Sequence, residues 1–150
     1  MAILSEGVRE QLRARFAERL RGPVELTLYT RPGSGRLILP SGVGCATCDE
    51  ARELAEELRD AAPDKVSLEI VDVSATPDAN VTEVPTLRVA APGGDPRIAW
   101  QGLPGGFEFA TVVDAMERVS AADPGLSEQT LAWLERLQAD LEVMVFATPT

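Results

Sequence analysis

Histidine is absent from this sequence of 150 residues. Serine-histidine and cysteine-histidine nucleophilic pairs, and metal sites built on imidazole, are therefore excluded. Positive charge is also scarce, since Lys65 is the only lysine and the formal net charge is −10. We do not expect a nucleic-acid partner, because binding to a phosphate backbone needs clustered lysine and arginine.

The sequence also lacks an apolar run long enough to cross a membrane and the basic-then-apolar start of a secretion signal. We therefore expect no membrane association and a cytoplasmic location. Only two cysteines are present, Cys45 and Cys48. In a reducing compartment such a close pair is typical of a catalytic or metal-binding site rather than a structural staple. Zinc would need further ligands from carboxylates or a second chain, so we expect no metal site.

The cysteine pair lies between a predicted strand, 24–29, and a predicted helix, 49–59. The unpaired N–H groups and positive dipole end of a helix stabilise a nearby thiolate, which is the nucleophilic form of the side chain. This placement favours a dithiol redox centre in which Cys45 attacks and Cys48 resolves by closing a disulfide with it. Such exchange requires no bound cofactor.

The hydrophobic periodicity predicts an α/β unit with a mixed sheet. A loop rich in glycine and proline, 31–44, leads to the cysteines, and its length is typical of functional loops. The remaining elements are predicted as a leading helix over 5–21, strands over 66–71, 87–91 and 97–100, and a helix that follows Gly105 and Gly106.

The last part of the sequence repeats its opening pattern. A helix that starts at 127 precedes a predicted strand, 141–146, whose residue types parallel those of 24–29. We interpret residues 1–122 as one unit and residues 123–150 as the start of a second, incomplete one, although any amphipathic helix before an apolar strand looks similar. If the final strand has no partner within the chain, its apolar edge favours a homodimer.

Three segments carry a resemblance to a known family: 45–48 (CATC), 84–86 (VPT) and 102–109 (GLPGGFEF). With the leading helix and the repeated opening, they resemble the thioredoxin superfamily, specifically the glutaredoxin-like protein disulfide oxidoreductases that carry two thioredoxin-fold units in tandem. The last segment also resembles the N-terminal region of the flavoprotein reductase that serves alkyl hydroperoxide peroxiredoxins. In that family the first unit generally lacks its cysteine pair, so Cys45 and Cys48 favour the oxidoreductases.

The resemblance implies a thioredoxin-like fold, with a mixed four-stranded sheet flanked by helices, an extra N-terminal helix, and a C-terminal helix and strand. It also implies a cis peptide bond before Pro85, which X-Pro bonds adopt at modest cost. By analogy, the backbone of Val84, Pro85 and Thr86 is expected to pair with an extended substrate segment beside the sulfurs. An ordinary proline at the start of a strand is the alternative interpretation.

The activity implied by the resemblance is that of a thiol-disulfide oxidoreductase, which exchanges a dithiol and a disulfide with protein substrates through a mixed disulfide. A reductase, for example a flavoprotein, is the implied electron donor. Two alternatives remain open: a non-catalytic scaffold or binding unit, and an electron-relay domain that serves a peroxiredoxin. Obligate use of glutathione is not expected, because no aspartate follows Gly105 and Gly106.

Side chains near the pair are expected to adjust its chemistry only modestly. Asp49 and Glu50 place negative charge beside the attacking thiol and oppose its ionisation. Since neither histidine nor proline lies between the cysteines, we expect a reduction potential between about −200 and −270 mV. Trp100, Phe107 and Phe109 are interpreted as packing residues rather than as an apolar rim for protein substrates.

Overall fold

The computed structural model describes residues 3–31 and 44–148 of the chain. Within these residues the secondary structure consists of eight helices and strands and one short 3₁₀ turn at Pro77–Ala79. The elements are α1 (Glu6–Arg19), β1 (Val24–Thr30), α2 (Cys48–Ala61), β2 (Val66–Asp72), β3 (Thr86–Ala90), β4 (Ile98–Gln101), α3 (Phe107–Ala121) and α4 (Glu128–Leu134).

The four strands form one mixed sheet in the order β2-β1-β3-β4, which confirms the predicted fold class. β1 pairs in parallel with β2 and antiparallel with β3, and β4 pairs antiparallel with β3. In this register Thr30 is paired with Asp72. Tyr29 is paired with Thr86, which is in turn paired with Gln101. The ends of β1, β2 and β4 and the start of β3 therefore meet at one edge of the sheet, which we call the carboxyl edge.

The hydrophobic core lies on the face of the sheet that carries the helices. β1 alternates between buried and half-buried side chains, and its Leu26 and Leu28 point into this core. Phe16 of α1, Leu58 of α2 and Met116 of α3 pack in the same cluster and are fully buried. Each large apolar side chain removed from water contributes about 1.5–3 kcal/mol to folding. The three helices are thus held on the sheet by one continuous core.

An ion-pair network joins α1 to α3. Arg15 donates from Nη2 to Asp114 at 2.6 Å and from Nε to Glu117. The hydrogen bond to Glu117 is the main cause that raises the pKa of the Arg15 guanidinium. This network reinforces the position of α3, whose first residue lies near the carboxyl edge.

The C-terminal part of the prediction is only half correct. The helix that starts after Ser127 is present as α4, with the Ser127 hydroxyl accepting a hydrogen bond from the N–H of Thr130. The predicted strand 141–146 is not formed: residues 141–148 have no regular secondary structure and are exposed. A strand needs backbone partners, and within the described residues no neighbouring strand supplies them to this segment.

The predicted loop, 31–44, lies outside the described residues from 32 to 43. Within the described parts of the chain, no helix has the length and apolarity needed to cross a bilayer.

Candidate redox site

Cys45 and Cys48 are joined by a disulfide bond. The S–S distance is 2.01 Å and the Cα atoms are 5.5 Å apart. Cys45 is 8% exposed, whereas Cys48, the first residue of α2, is 1% exposed. Both residues are buried, and Cys45 is the more exposed of the two.

The N-terminal end of α2 lies directly beside the disulfide, because Cys48 is the first residue of this helix. The helix begins one residue earlier than predicted, and the side chain of Thr47, its N-cap, makes no capping hydrogen bond. Partial positive charge is concentrated in the first turn of a helix, where it stabilises a thiolate. Asp49 and Glu50 are exposed in the same turn, and their negative charges oppose that effect.

The peptide bond between Val84 and Pro85 is cis, as the resemblance implies. The sulfur of Cys45 lies 3.7 Å from the carbonyl oxygen of Val84, so the cis bond is adjacent to the disulfide. Thr86 follows as the first residue of β3 and is buried, and its hydroxyl donates to the carbonyl of Glu83 at 2.7 Å. The side chain of Thr86 thus closes the turn that presents Val84 beside the sulfurs.

The turn after β4 is hydrogen-bonded to the cis-proline segment. The N–H of Gly102 donates to the carbonyl of Pro85 at 2.8 Å. Gly102 has φ of 100° and Gly106, the N-cap of α3, has φ of 54°, and both values favour glycine because no Cβ is present to clash. The start of α3 consequently lies at the carboxyl edge together with the cysteines and Pro85.

Phe107, the first residue of α3, is the clearest departure from the expected packing of the aromatic residues. Phe109 is half-buried against the core, and Trp100 is half-buried with its indole N–H donating to Thr111 at 3.0 Å. Phe107 is instead 84% exposed. The packing interpretation is therefore wrong for Phe107, because the helix begins with this side chain directed away from the core.

Among the described residues of 3–122, no other large apolar side chain exceeds 39% exposure. Exposed apolar residues are common singly on protein surfaces. Phe107 is distinguished by its extent of exposure and by its place at the edge that carries the disulfide.

A carboxylate adds negative charge at the same edge of the sheet. Asp72, the last residue of β2, accepts hydrogen bonds from the hydroxyl and the N–H of Ser74, and these bonds lower its pKa. Arg52 of α2 also contributes to that lowering by its charge. Across residues 3–31 and 44–148, no group of three or more cysteine, aspartate or glutamate side chains is placed to hold a metal ion.

The sequence alone did not reveal two features of this site. One is the hydrogen bond from Gly102 to Pro85, and the other is the exposure of Phe107. The glycines at 102, 105 and 106 were the available signal, since a cluster of glycines often marks backbone that turns sharply or approaches another group closely.

Solved structures similar to this chain are known, whereas sequence comparison finds no related family. No protein-family model matches the chain, and no curated protein matches it. Among solved structures, a protein disulfide oxidoreductase from Aeropyrum pernix K1 is similar, with a TM-score of 0.73 and 27% sequence identity. That match covers 91% of this chain and 56% of the other protein.

A second similar structure is the NTD_N/C domain of the alkylhydroperoxide reductase AhpF from Enterococcus faecalis V583. Its TM-score is 0.63 at 20% identity, and the match covers 84% of this chain and 57% of that one. At this identity the likeness concerns the fold alone. The present chain thus spans little more than half the length of both similar proteins.

The fold, the disulfide-bonded pair and the neighbouring cis-proline define a member of the thioredoxin superfamily. Of the two similar structures, the protein disulfide oxidoreductase from Aeropyrum pernix K1 has the higher TM-score and the higher sequence identity.

The difference in burial of the two sulfurs leads to a testable prediction. After reduction, we expect iodoacetamide to alkylate Cys45 at least about fivefold faster than Cys48, because Cys48 is the more deeply buried residue and reactivity requires access. Quenched time points digested and analysed by mass spectrometry measure both rates in the same sample. Equal rates, or faster labelling of Cys48, would contradict the assignment of Cys45 as the accessible thiol.

Proposed function

We propose that this chain is a protein disulfide oxidoreductase that acts through Cys45 and Cys48. The observation that carries the proposal is the disulfide between these residues, with the Cys45 sulfur 3.7 Å from the carbonyl of Val84. The disulfide lies beside the backbone that precedes β3. An extended peptide that pairs with this backbone could therefore exchange its disulfide with the cysteine pair.

In the proposed reaction, the Cys45 thiolate attacks one sulfur of a substrate disulfide. A new bond forms between Cys45 and that sulfur, and the other substrate sulfur leaves as a thiolate and takes a proton. The Cys48 thiolate then attacks the Cys45 sulfur and releases the second substrate thiol. Two electrons have passed to the substrate, and the Cys45–Cys48 disulfide is the oxidised product. The reverse sequence oxidises a substrate dithiol.

Substrate binding is proposed to involve the backbone around the cis-proline. Val84, Pro85 and Thr86 precede and begin β3, and an extended substrate segment that pairs with this backbone would have its disulfide next to Cys45. A reductase, for example a flavoprotein, is proposed to return the pair to the dithiol form. No resident cofactor takes part in the exchange itself.

The organisation of the chain remains a proposal as well. We assign residues 1–122 to a complete thioredoxin-like unit and residues 123–150 to the start of a second, incomplete unit. The match to the Aeropyrum protein supports this assignment, since it covers 91% of the chain while residues 1–122 make up 81% of it. We further propose a homodimer formed through residues 141–146, and a cytoplasmic location.

A second candidate function is electron relay to a peroxiredoxin. It is favoured by segment 102–109, which resembles the N-terminal region of the peroxiredoxin-serving reductases, and by the shared fold with the AhpF domain. In that case turnover requires a specific flavoprotein donor and a peroxide-reducing partner. A scaffold unit without catalysis is the third candidate, and it requires neither cysteine.

Substitution of the two cysteines separates catalysis from scaffolding. We expect Cys45→Ser to lower the rate of insulin disulfide reduction with dithiothreitol by at least about 100-fold, because the attacking thiolate is lost. Cys48→Ser, reduced and then freed of dithiothreitol before insulin is added, is expected to accumulate a mixed disulfide with the substrate, because the resolving thiol is missing. The mixed disulfide is visible as an added mass on a non-reducing gel. Full activity in Cys45→Ser would instead favour the scaffold interpretation.

The carboxylates in the first turn of α2 are expected to lower the reduction potential by a small amount. Replacing both carboxylates, Asp49→Asn with Glu50→Gln, removes repulsion of the thiolate and stabilises the reduced form. Exposed charges contribute up to about 1 kcal/mol, so we expect the potential to rise by about 10–20 mV in a glutathione redox titration. The matched control is Glu56→Gln with Asp60→Asn, further along the same helix, for which no shift is expected. A fall in potential would contradict this account.

Phe107 is expected to contribute to binding of protein substrates. Phe107→Ser removes an exposed apolar contact beside the site, and we expect about tenfold lower kcat/KM for insulin through a higher KM. The rate with a small aromatic disulfide should stay within twofold. Leu126→Ser, at an exposed site past the opposite end of α3, is the control. An equal loss on both substrates would point to damage of the redox pair itself.

A further inference from the structure

The residues that lead into β3, from Glu83 to Thr86, form a turn beside the disulfide. The sulfur of Cys45 is 3.7 Å from the carbonyl oxygen of Val84, and the bond that joins Val84 to Pro85 is cis. A trans peptide group is planar, so its carbonyl and the N–H of the next residue point in opposite directions. A hydrogen bond that fixes one carbonyl therefore also fixes the N–H that shares its plane.

Two of the three carbonyls that precede Thr86 in this turn are held by hydrogen bonds. The carbonyl of Glu83 accepts from the hydroxyl of Thr86 at 2.7 Å, and the carbonyl of Pro85 accepts from the N–H of Gly102 at 2.8 Å. The carbonyl of Val84 lies beside the disulfide, whose sulfurs carry no hydrogen. The hydrogen bonds on either side thus leave Val84 as the residue whose carbonyl is available at the site.

The N–H of Val84 is also without a hydrogen-bond acceptor. Within residues 3–31 and 44–148, no backbone or side-chain oxygen accepts from it. An N–H group at a partly buried position is stabilised when water or a ligand accepts its hydrogen. Since Val84 is half-buried, its N–H is a donor that an extended substrate segment can use when it pairs with this backbone.

The side chain of Thr86 fixes the direction of that donor. The carbonyl of Glu83 and the N–H of Val84 belong to one trans peptide group, since the only cis bond among the described residues is the one before Pro85. The hydrogen bond from Thr86 holds the carbonyl end of this group, so its N–H end points away from the Thr86 side chain. Thr86 is 2% exposed, and water therefore has little access to its hydroxyl.

The burial of Thr86 is rare for a polar residue of this chain. Among the described residues, Thr30 and Thr86 are the only buried polar ones, and both lie at the carboxyl edge. Thr30 donates to the carbonyl of the next residue, Arg31, at 3.2 Å, whereas the shorter bond from Thr86 closes a turn. Valine has the same shape and suits a buried strand position at least as well. Packing alone therefore does not account for a hydroxyl at position 86.

We propose that Thr86 is a positioning residue, whose hydroxyl orients the peptide group between Glu83 and Val84 so that Val84 can donate to the backbone of a substrate. The inference rests on the oxidoreductase function proposed above, and it names the side chain that prepares the substrate-binding backbone. The hydroxyl acts through this peptide group and takes no part in the exchange of sulfur bonds.

Two substitutions separate the hydroxyl from the rest of the side chain. Thr86→Val keeps the shape and removes the hydrogen bond, so the N–H of Val84 loses its fixed direction. We expect the KM for insulin reduction with dithiothreitol to rise about fivefold with kcat within twofold, because substrate binding loses part of one hydrogen bond. Thr86→Ser keeps the hydroxyl, and its KM should lie within twofold of wild type. The rate with a small aromatic disulfide, which cannot pair with the backbone, should change less than twofold in both variants.

A matched control is present near the end of α3. The hydroxyl of Ser120 donates to the carbonyl of Glu117, also three residues back and also at 2.7 Å. Ser120→Ala removes this bond at a half-buried position far from the carboxyl edge, and we expect no change in KM. Thermal unfolding followed by circular dichroism should show similar small losses of stability in Thr86→Val and Ser120→Ala. If Thr86→Val does not fold, Thr86→Ala removes the same hydroxyl with less bulk and takes its place.

The possible outcomes separate the positioning role from the proposed function. A wild-type chain that does not reduce insulin overturns the proposed function and the positioning role with it. If the wild type is active, an unchanged KM in Thr86→Val overturns the positioning role alone. An equal rise of KM in Thr86→Ser assigns the effect to the methyl group and overturns that role as well. An equal loss with the small disulfide places the effect on the cysteines instead of on substrate pairing, with the same consequence.

Discussion

The geometry of the redox site depends on the pairing of β1 with a strand on each side. Because β2 is parallel to β1 and β3 is antiparallel, the chain leaves β1 and enters β3 at the same edge of the sheet. Leu28 is opposite Leu87 in this register, and both are buried in the core. A slip of one residue would turn one of them to the other face. The apolar core therefore fixes the register, and the register holds the backbone of Val84 next to the Cys45 sulfur.

The electrostatic environment of the cysteines is set largely by the backbone. With no histidine in the chain, no imidazole can assist ionisation of either thiol. The first turn of α2 favours the thiolate, whereas Asp49 and Glu50 oppose it. Asp72 adds a further carboxylate at the carboxyl edge, and its hydrogen bonds with Ser74 keep it ionised. Because these contributions oppose each other, we expect a dithiol of intermediate reducing strength rather than a strong oxidant.

Much of this arrangement could be predicted from the sequence. The features that could not be predicted have one cause in common. The strands of the sheet were predicted to within one residue at each end. The clearest signal was in β1, whose side chains alternate between buried and half-buried positions. The cysteine pair was identified from its spacing and its place before a helix, and the cis bond before Pro85 was implied by the resemblance to the thioredoxin superfamily. The contact between Gly102 and Pro85 and the exposure of Phe107 depend on how separate segments meet in space. Residue type and periodicity describe local tendencies and contain little of that information.

The failed prediction of a strand at 141–146 has the same origin and a wider implication. Its residue types parallel those of 24–29, so the two segments have similar intrinsic preference for β structure. β1 is a strand because it has hydrogen-bonding neighbours on both sides, whereas 141–146 has none within the described chain. Propensity for β structure thus acts only when a second strand is present.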